Sequence, residues 1–261
     1  MPYIVSVVAR KGGVAKTTTA VNLAASLARA GASVLVVDAD SQGQCADLLG
    51  VSLAENDLVF ADWMRGNEIA SCALVPVSPA SSFGPALLPG DNQTLGFESK
   101  ISPVGLLALA DRLRAEAAAW DYVIIDSPPK GLMQDWAILA ADLCVLPAPA
   151  NALGARMALD AFYLAALVPL KAGRYAPARV VLPVMVQAGT RDGRRWLAAI
   201  NEQFAGFLAP AAVPLAVVVA ESAAAGVPLV AYAPKSLAAV AYGALWRLVD
   251  MLRVGADLEV A

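Results

Sequence analysis

Residues 3–18 read Tyr3-Ile4-Val5-Ser6-Val7-Val8-Ala9-Arg10-Lys11-Gly12-Gly13-Val14-Ala15-Lys16-Thr17-Thr18. A short β-branched run ends in a basic pair and two glycines, and a lysine with two threonines follows. From there Ala20, Leu23, Ala24, Leu27 and Ala28 fall at the spacing of one helix face, and Gly31 ends the pattern. Ser33–Val37 is a second buried-type strand that closes on Asp38. Strand, glycine turn, helix and strand in this order form a βαβ unit, which predicts a parallel sheet.

The turn has the chemistry of a phosphate-binding loop. Gly12 and Gly13 let backbone N–H groups of residues 11–18 turn inward, and the following helix adds the positive end of its dipole. Lys16 is spaced to reach β- and γ-phosphates, and the Thr17 hydroxyl to ligate Mg²⁺. Position 10 is Arg and position 15 is Ala, so the common G-x-x-x-x-G-K-[ST] pattern fails, and x-K-G-G-x-x-K-[ST] stands in its place. Ala15 is tolerated at negative φ and costs about 1 kcal/mol or more at positive φ. Negative φ is the expectation.

Further strands are predicted at Tyr122–Ile125 before Asp126, at Leu143–Leu146 before Pro147, and at Val180–Val186 before Gln187. Helical stretches lie at roughly 104–118, 133–141, 155–170, 192–206 and 236–253. Residues 78–103 read as irregular loop around one short strand, Ala86-Leu87-Leu88. No internal repeat and no dividing linker interrupt the chain. Residues 1–261 are therefore expected to form a single doubly wound α/β domain, its mostly parallel sheet flanked by helices.

Composition narrows the chemistry. The 261 residues include no histidine, which removes imidazole acid–base work and histidine metal sites. Cys45, Cys72 and Cys144 are scattered without a C-x-x-C pair, so neither a disulfide framework nor a cysteine metal site is indicated. The formal charge is −3, although residues 171–261 carry nine Lys/Arg against six Asp/Glu. That permits a local basic patch but no strongly basic domain. The longest candidate membrane span, Phe207–Ala220, contains two prolines and falls short of the ~20 apolar residues a span needs. The N-terminus lacks a basic flank and cleavage site, so a cytoplasmic location is expected.

Two acidic motifs stand at strand ends. Asp38-Ala39-Asp40-Ser41-Gln42-Gly43 follows the second strand, and Asp121-Tyr122-Val123-Ile124-Ile125-Asp126-Ser127-Pro128-Pro129 is an apolar strand ending in acid. Carboxylates at carboxyl ends of parallel strands face the ligand crevice. Mg²⁺ keeps several waters and takes few carboxylates, which suits an aspartate such as Asp126.

Together these motifs resemble the ParA/MinD family of deviant Walker A ATPases. The resemblance extends to Ala140-Ala141-Asp142 through Pro147 and to Gly226-Val227-Pro228 through Tyr242, with residues 52–100 least family-like. It implies ATP and Mg²⁺ as cofactors, with Lys11, Lys16 and Asp40 as catalytic residues. By resemblance, Lys11 crosses a dimer interface to the partner's phosphates, Asp40 orients the attacking water, and Thr17, Asp38 and Asp126 serve the metal. It further implies an ATP-bound homodimer, a ParB-like or cargo-adaptor activating partner, and a cycle that segregates or positions a plasmid, chromosome origin or large protein assembly. The chain departs from the family at Ser41 and Lys130. It also has Leu215 and Val218 where ParA members often carry DNA-associated arginines.

Arg191, Arg194 and Arg195 form a basic cluster at a helix start, and are the candidate contacts to nonspecific DNA. Three basic residues there equally describe a solvated helix face. If DNA binding holds, the location becomes nucleoid-associated. The alternative is MinD-like membrane binding through residues 245–254, which contain Trp246, Leu248, Val249 and Leu252 but only Arg247 and Arg253 as basic residues. A helix docked on the domain is favoured over a membrane helix there. Redox ATPases of the same fold require cluster-sharing cysteines whose spacing is missing here. Small-molecule kinases or synthetases require a substrate pocket that the sequence does not reveal.

Overall fold

A computed structural model describes residues 1–54, 56–69, 73–74, 84–98 and 100–259. In chain order the elements are β1 (Tyr3–Val7), α1 (Lys16–Arg29), β2 (Val34–Asp38), α2 (Gln44–Leu49), α3 (Phe60–Met64), β3 (Ala73–Leu74), β4 (Ala86–Leu88), α4 (Gln93–Glu98) and α5 (Pro103–Glu116). They continue with β5 (Tyr122–Asp126), α6 (Leu132–Ala140), β6 (Leu143–Pro149), α7 (Ala152–Lys171), β7 (Ala178–Val184), α8 (Arg191–Gln203), α9 (Val217–Ala224), α10 (Leu229–Tyr232) and α11 (Leu237–Glu259). The strand order is β3-β4-β2-β5-β1-β6-β7. All neighbouring pairs run parallel except β3 with β4. The doubly wound, mostly parallel sheet expected from the sequence is the one observed.

The unbroken apolar runs have a physical reason. Strands in the middle of a parallel sheet are covered on both faces, so both sides of the pleat must be hydrophobic. Val5, Val7, Val34, Val36, Ile124 and Val145 pack on one face with Leu23, Leu27, Tyr242, Leu245 and Val249 from α1 and α11. Ile4, Leu35, Val37, Val123 and Ile125 point to the other face, against Leu113, Met133, Trp136 and the α3 residues Phe60 and Trp63. Cys144, Leu146 and Val181 meet the small face of α7, built from Ala155, Ala158, Ala161 and Ala165.

Several expectations are refined. The helices at 133–141, 155–170 and 192–206 begin one to three residues earlier, and the one expected at 236–253 runs on to Glu259. The final sheet strand is Ala178–Val184; Met185 then turns to positive φ. The irregular stretch 78–103 contains α4, and α2 and α3 precede it. Each of these helices is six residues or fewer, too short to display a helical period. Cys72 and residues 78–83 lie outside the described residues. Phe207–Ala220 is not a helix; α9 starts only at Val217. α7 is long and apolar enough to span a bilayer, yet it packs its alanine face on β6 and β7. Within the 245–254 segment, Leu245 and Val249 are fully buried against the sheet, as a docked helix requires.

Candidate nucleotide and cation site

β1 delivers the glycine loop to the carboxyl edge of the sheet, where a cavity of about 480 Å³ opens. Gly12, Gly13, Ala15, Lys16, Thr17 and Thr18 line it, facing Asp40, Ser41 and Gln42 and the Pro128–Lys130 turn. Gly13 has φ +70°, a backbone suited to glycine. Ala15 has φ +63° and ψ +31°, so the expected negative φ is wrong. The chain must turn left-handed there to start α1, and alanine bears the cost. As the residue capping α1, Ala15 offers no side-chain acceptor to the first-turn N–H groups. An anionic ligand can take that place, helped by the helix dipole.

The predicted loop residues separate by role. Lys16 is buried at the start of α1 and lines the cavity. Val14 is buried and lies outside the cavity lining, so only its backbone can serve a phosphate. Lys11 is exposed, outside the lining, and hydrogen-bonds to no group among the described residues.

The acid motifs converge because of register. In the β2–β5 ladder Asp38 stands opposite Asp126, and in the β1–β5 ladder Asp126 stands opposite Val7. Both carboxylates are fully buried beside the loop. Thr17 Oγ1 donates to Asp126 Oδ2 at 2.6 Å. Asp38 accepts from the Cys45 N–H at 2.9 Å and the Asp40 N–H at 3.1 Å. Burial, and then the Asp126 charge, push the Asp38 carboxyl up from its ordinary range. Burial also raises Asp126, opposed by the Thr17 hydroxyl and by Lys16. Asp126 Oδ1 is buried without a hydrogen-bond partner among the described residues. Two buried carboxylates with an open lone pair fit a divalent cation, whose charge would reverse both shifts.

Asp40 is half-buried at the cavity wall, with Oδ1 accepting from the Gln42 N–H at 3.1 Å. Its loop is held by backbone contact. A Cβ on Gly90 would stand 2.5 Å from the Asp40 carbonyl oxygen and 2.7 Å from that of Asp38. One on Gly43 would stand 2.5 Å from the Gly90 oxygen. Further along, a Cβ on Gly50, at the end of α2, would stand 2.6 Å from the Gly226 oxygen.

The sequence reading missed other parts of the site. Gln134 of α6 is buried and donates to the Ala9 and Pro128 carbonyls at 3.0 and 2.9 Å. Its oxygen accepts from Arg10 at 3.1 Å. Thr94 and Glu98 of α4 also line the cavity. Their only signal was polarity within an apparently irregular stretch. Arg191, Arg194 and Arg195 are exposed at the start of α8, after the edge strand two places from β1. Arg194 donates to the Ala188 carbonyl at 2.9 Å, and Arg195 lies over the Trp196 ring. Val186 and Pro214 form a parallel bridge, and neither lines the cavity.

A strand, a phosphate-type loop, a helix and two aspartates at neighbouring strand ends define a P-loop nucleotide-binding protein. The AAA domain family (AAA_31) matches residues 3–162. The chain is 33% identical over 238 residues to the chromosome-partitioning ATPase Soj of Thermus thermophilus, covering 89% of each chain. It is 28% identical over 246 residues to the sporulation initiation inhibitor protein Soj of Bacillus subtilis, covering 93% of this chain and 96% of that one. The septum site-determining protein MinD of Pyrococcus horikoshii, solved with Mg-ADP, superposes with a TM-score of 0.77 at 25% identity, covering 97% of this chain and 98% of that one. The chain belongs to the AAA domain family, among its ParA/MinD-type positioning ATPases.

Proposed function

We propose that this chain is a Mg²⁺-dependent ATP hydrolase that alternates between monomer and ATP-sandwich homodimer, and uses that cycle to segregate or position a cargo. The observation that carries the reading is the contrast between its two loop lysines. Lys16 is buried against the cavity, whereas Lys11 is exposed and has no partner among the described residues. A cation left outside its own phosphate cavity is placed to compensate charge on a second subunit.

Within one subunit, the loop N–H groups and Lys16 hold the phosphates, while Thr17, Asp38 and Asp126 would hold Mg²⁺. Mg²⁺ held by these residues would neutralise the charge that develops on the phosphates. Asp40, half-buried at the cavity wall, orients the attacking water. Hydrolysis is stimulated by a ParB-like or cargo-adaptor protein, and the dimer travels on nonspecific DNA in the cytoplasm. The similarity to the chromosome-partitioning ATPase Soj of Thermus thermophilus supports the cargo reading. Membrane binding is disfavoured because Leu245 and Val249 of α11 are buried in this fold.

Size-exclusion with light scattering tests the cycle. Wild type with ATP should dimerise, and Asp40→Ala should accumulate that dimer. Lys11→Ala should bind ATP as a monomer and lose both dimer and turnover. An ATP dimer of normal affinity in Lys11→Ala would refute the sandwich.

A further inference from the structure

Three cation-ligating groups converge beneath the glycine loop. Cys45 Sγ, a carboxylate oxygen of Asp38 and one of Asp126 all lie within 4.8 Å of one another, and all three residues are buried. Cys45 Sγ is 3.8 Å from Asp126 Oδ2. The thiol is held in place because the Cys45 N–H donates to Asp38 at 2.9 Å, just after the left-handed turn at Gly43. A second observation is independent of the cysteine: on the same carboxylate whose Oδ2 faces Cys45, Asp126 Oδ1 is buried and has no hydrogen-bond partner among the described residues.

Donor chemistry decides which ion such a cluster prefers. Oxygen donors alone suit Mg²⁺, whereas a thiolate shifts preference toward Zn²⁺ and other soft divalent ions. Zn–S near 2.3 Å and Zn–O near 2.1 Å put tetrahedral donors about 3.5 Å apart. The Cys45–Asp126 separation of 3.8 Å needs only a few tenths of an ångström of closure, and the other two donor pairs, within 4.8 Å, need no more than about 1.3 Å.

We propose that Cys45, Asp38 and Asp126 form a thiolate–carboxylate site for a soft divalent cation, Zn²⁺ in the cell, that competes with Mg²⁺–nucleotide loading. The inference rests on reading Asp38 and Asp126 as the cation end of the nucleotide site. As the Zn–S bond forms, the Cys45 thiol proton leaves to solvent. Three protein donors leave a fourth position for water. Sulfur then binds the ion more tightly than Mg²⁺ alone is bound, and the chain is held out of its ATP cycle until Mg–ATP in excess displaces the ion.

The test is a Cd²⁺ titration of the full-length, nucleotide-free protein, followed by the ultraviolet thiolate-to-cadmium charge-transfer band. Wild type should saturate at one cation per chain, and excess Mg–ATP should diminish the band. Cys45→Ser and Cys45→Ala should lose it and bind Zn²⁺ at least about tenfold more weakly, since even outer partners of a metal count on that scale. Cys72→Ser should retain it. No band in wild type, a band that survives in both Cys45 variants, or one indifferent to Mg–ATP would overturn the proposal. Thermal stabilisation by Mg–ATP, measured on the same samples, reports separately on the nucleotide reading and on the folding of the variants.

Discussion

Gln134 Nε2 donates to the carbonyl oxygen of Ala9 at 3.0 Å, joining α6 to the entrance of the phosphate loop across 125 residues of chain. The same amide reaches Pro128, beyond β5, and Arg10. One buried side chain therefore sets the spacing between the loop and the Asp126 turn. Gln134→Leu keeps the bulk but leaves two carbonyls without their donor, at about 1–3 kcal/mol. The expected result is a lower unfolding midpoint together with weaker ATP binding by calorimetry. Normal values of both would show that the loop is held by other contacts.

Ala15 offers the opposite test, because it sits at φ +63° without a glycine. Ala15→Gly removes the left-handed Cβ clash, worth about 1–2 kcal/mol, and returns part of it as unfolded-chain entropy. A net gain of roughly 0.5–1 kcal/mol is expected in urea unfolding of the nucleotide-free protein. A loss of stability would mean that the loop is not left-handed in solution.

These two positions mark how far the sequence could be read. The βαβ unit and the strand-end aspartates were legible because each rests on a local pattern: a buried run, a glycine turn, an acid at a strand end. The sign of φ at Ala15 was not, since it depends on how α1 must start relative to β1. Gln134 was missed because a single buried amide within an apolar helix has no periodic signature. The short helices α2 and α4, which bring Cys45 and Thr94 to the site, span too few residues for periodicity to register.

Asp121 provides a pH test away from the cavity. The Ser33 N–H and hydroxyl hold its carboxyl below the usual range, with Arg253 contributing less. A folded pKa below the unfolded one stabilises above the ordinary carboxylate range, and that contribution disappears as pH falls through the lowered value. Ser33→Ala should therefore cost about 0.5–1.5 kcal/mol near neutral pH, and less in acid. Urea unfolding at both conditions checks it. A deficit as large in acid would assign the effect to the reciprocal bond from the Asp121 N–H to Ser33 Oγ.

Arg194 and Arg195 test the proposed DNA track. A dimer doubles a weak footprint, so binding should require ATP and ignore sequence. Affinity should fall with salt at a log–log slope of about −0.9 per phosphate neutralised. Replacing both arginines by alanine should weaken all duplexes alike and flatten that slope by up to about two units per subunit. Anisotropy on random-sequence duplex across a salt series reads this. Failure of wild type to bind at low salt would remove DNA as the track.

Gly50 and Gly226 meet with no side chain between them; a Cβ on either would come within 2.8 Å of the other's backbone. Between side chains, such a contact has slack, because rotamers give before the main chain moves. Between two backbones it has almost none. α2, which starts at the Asp38–Gly43 segment and carries Cys45, is thus butted directly against the turn that leads from α9 into α10. Any advance of α2 toward that turn must push it, like one rigid rod against another, so the acidic segment and the C-terminal third keep step over a single point of bare backbone.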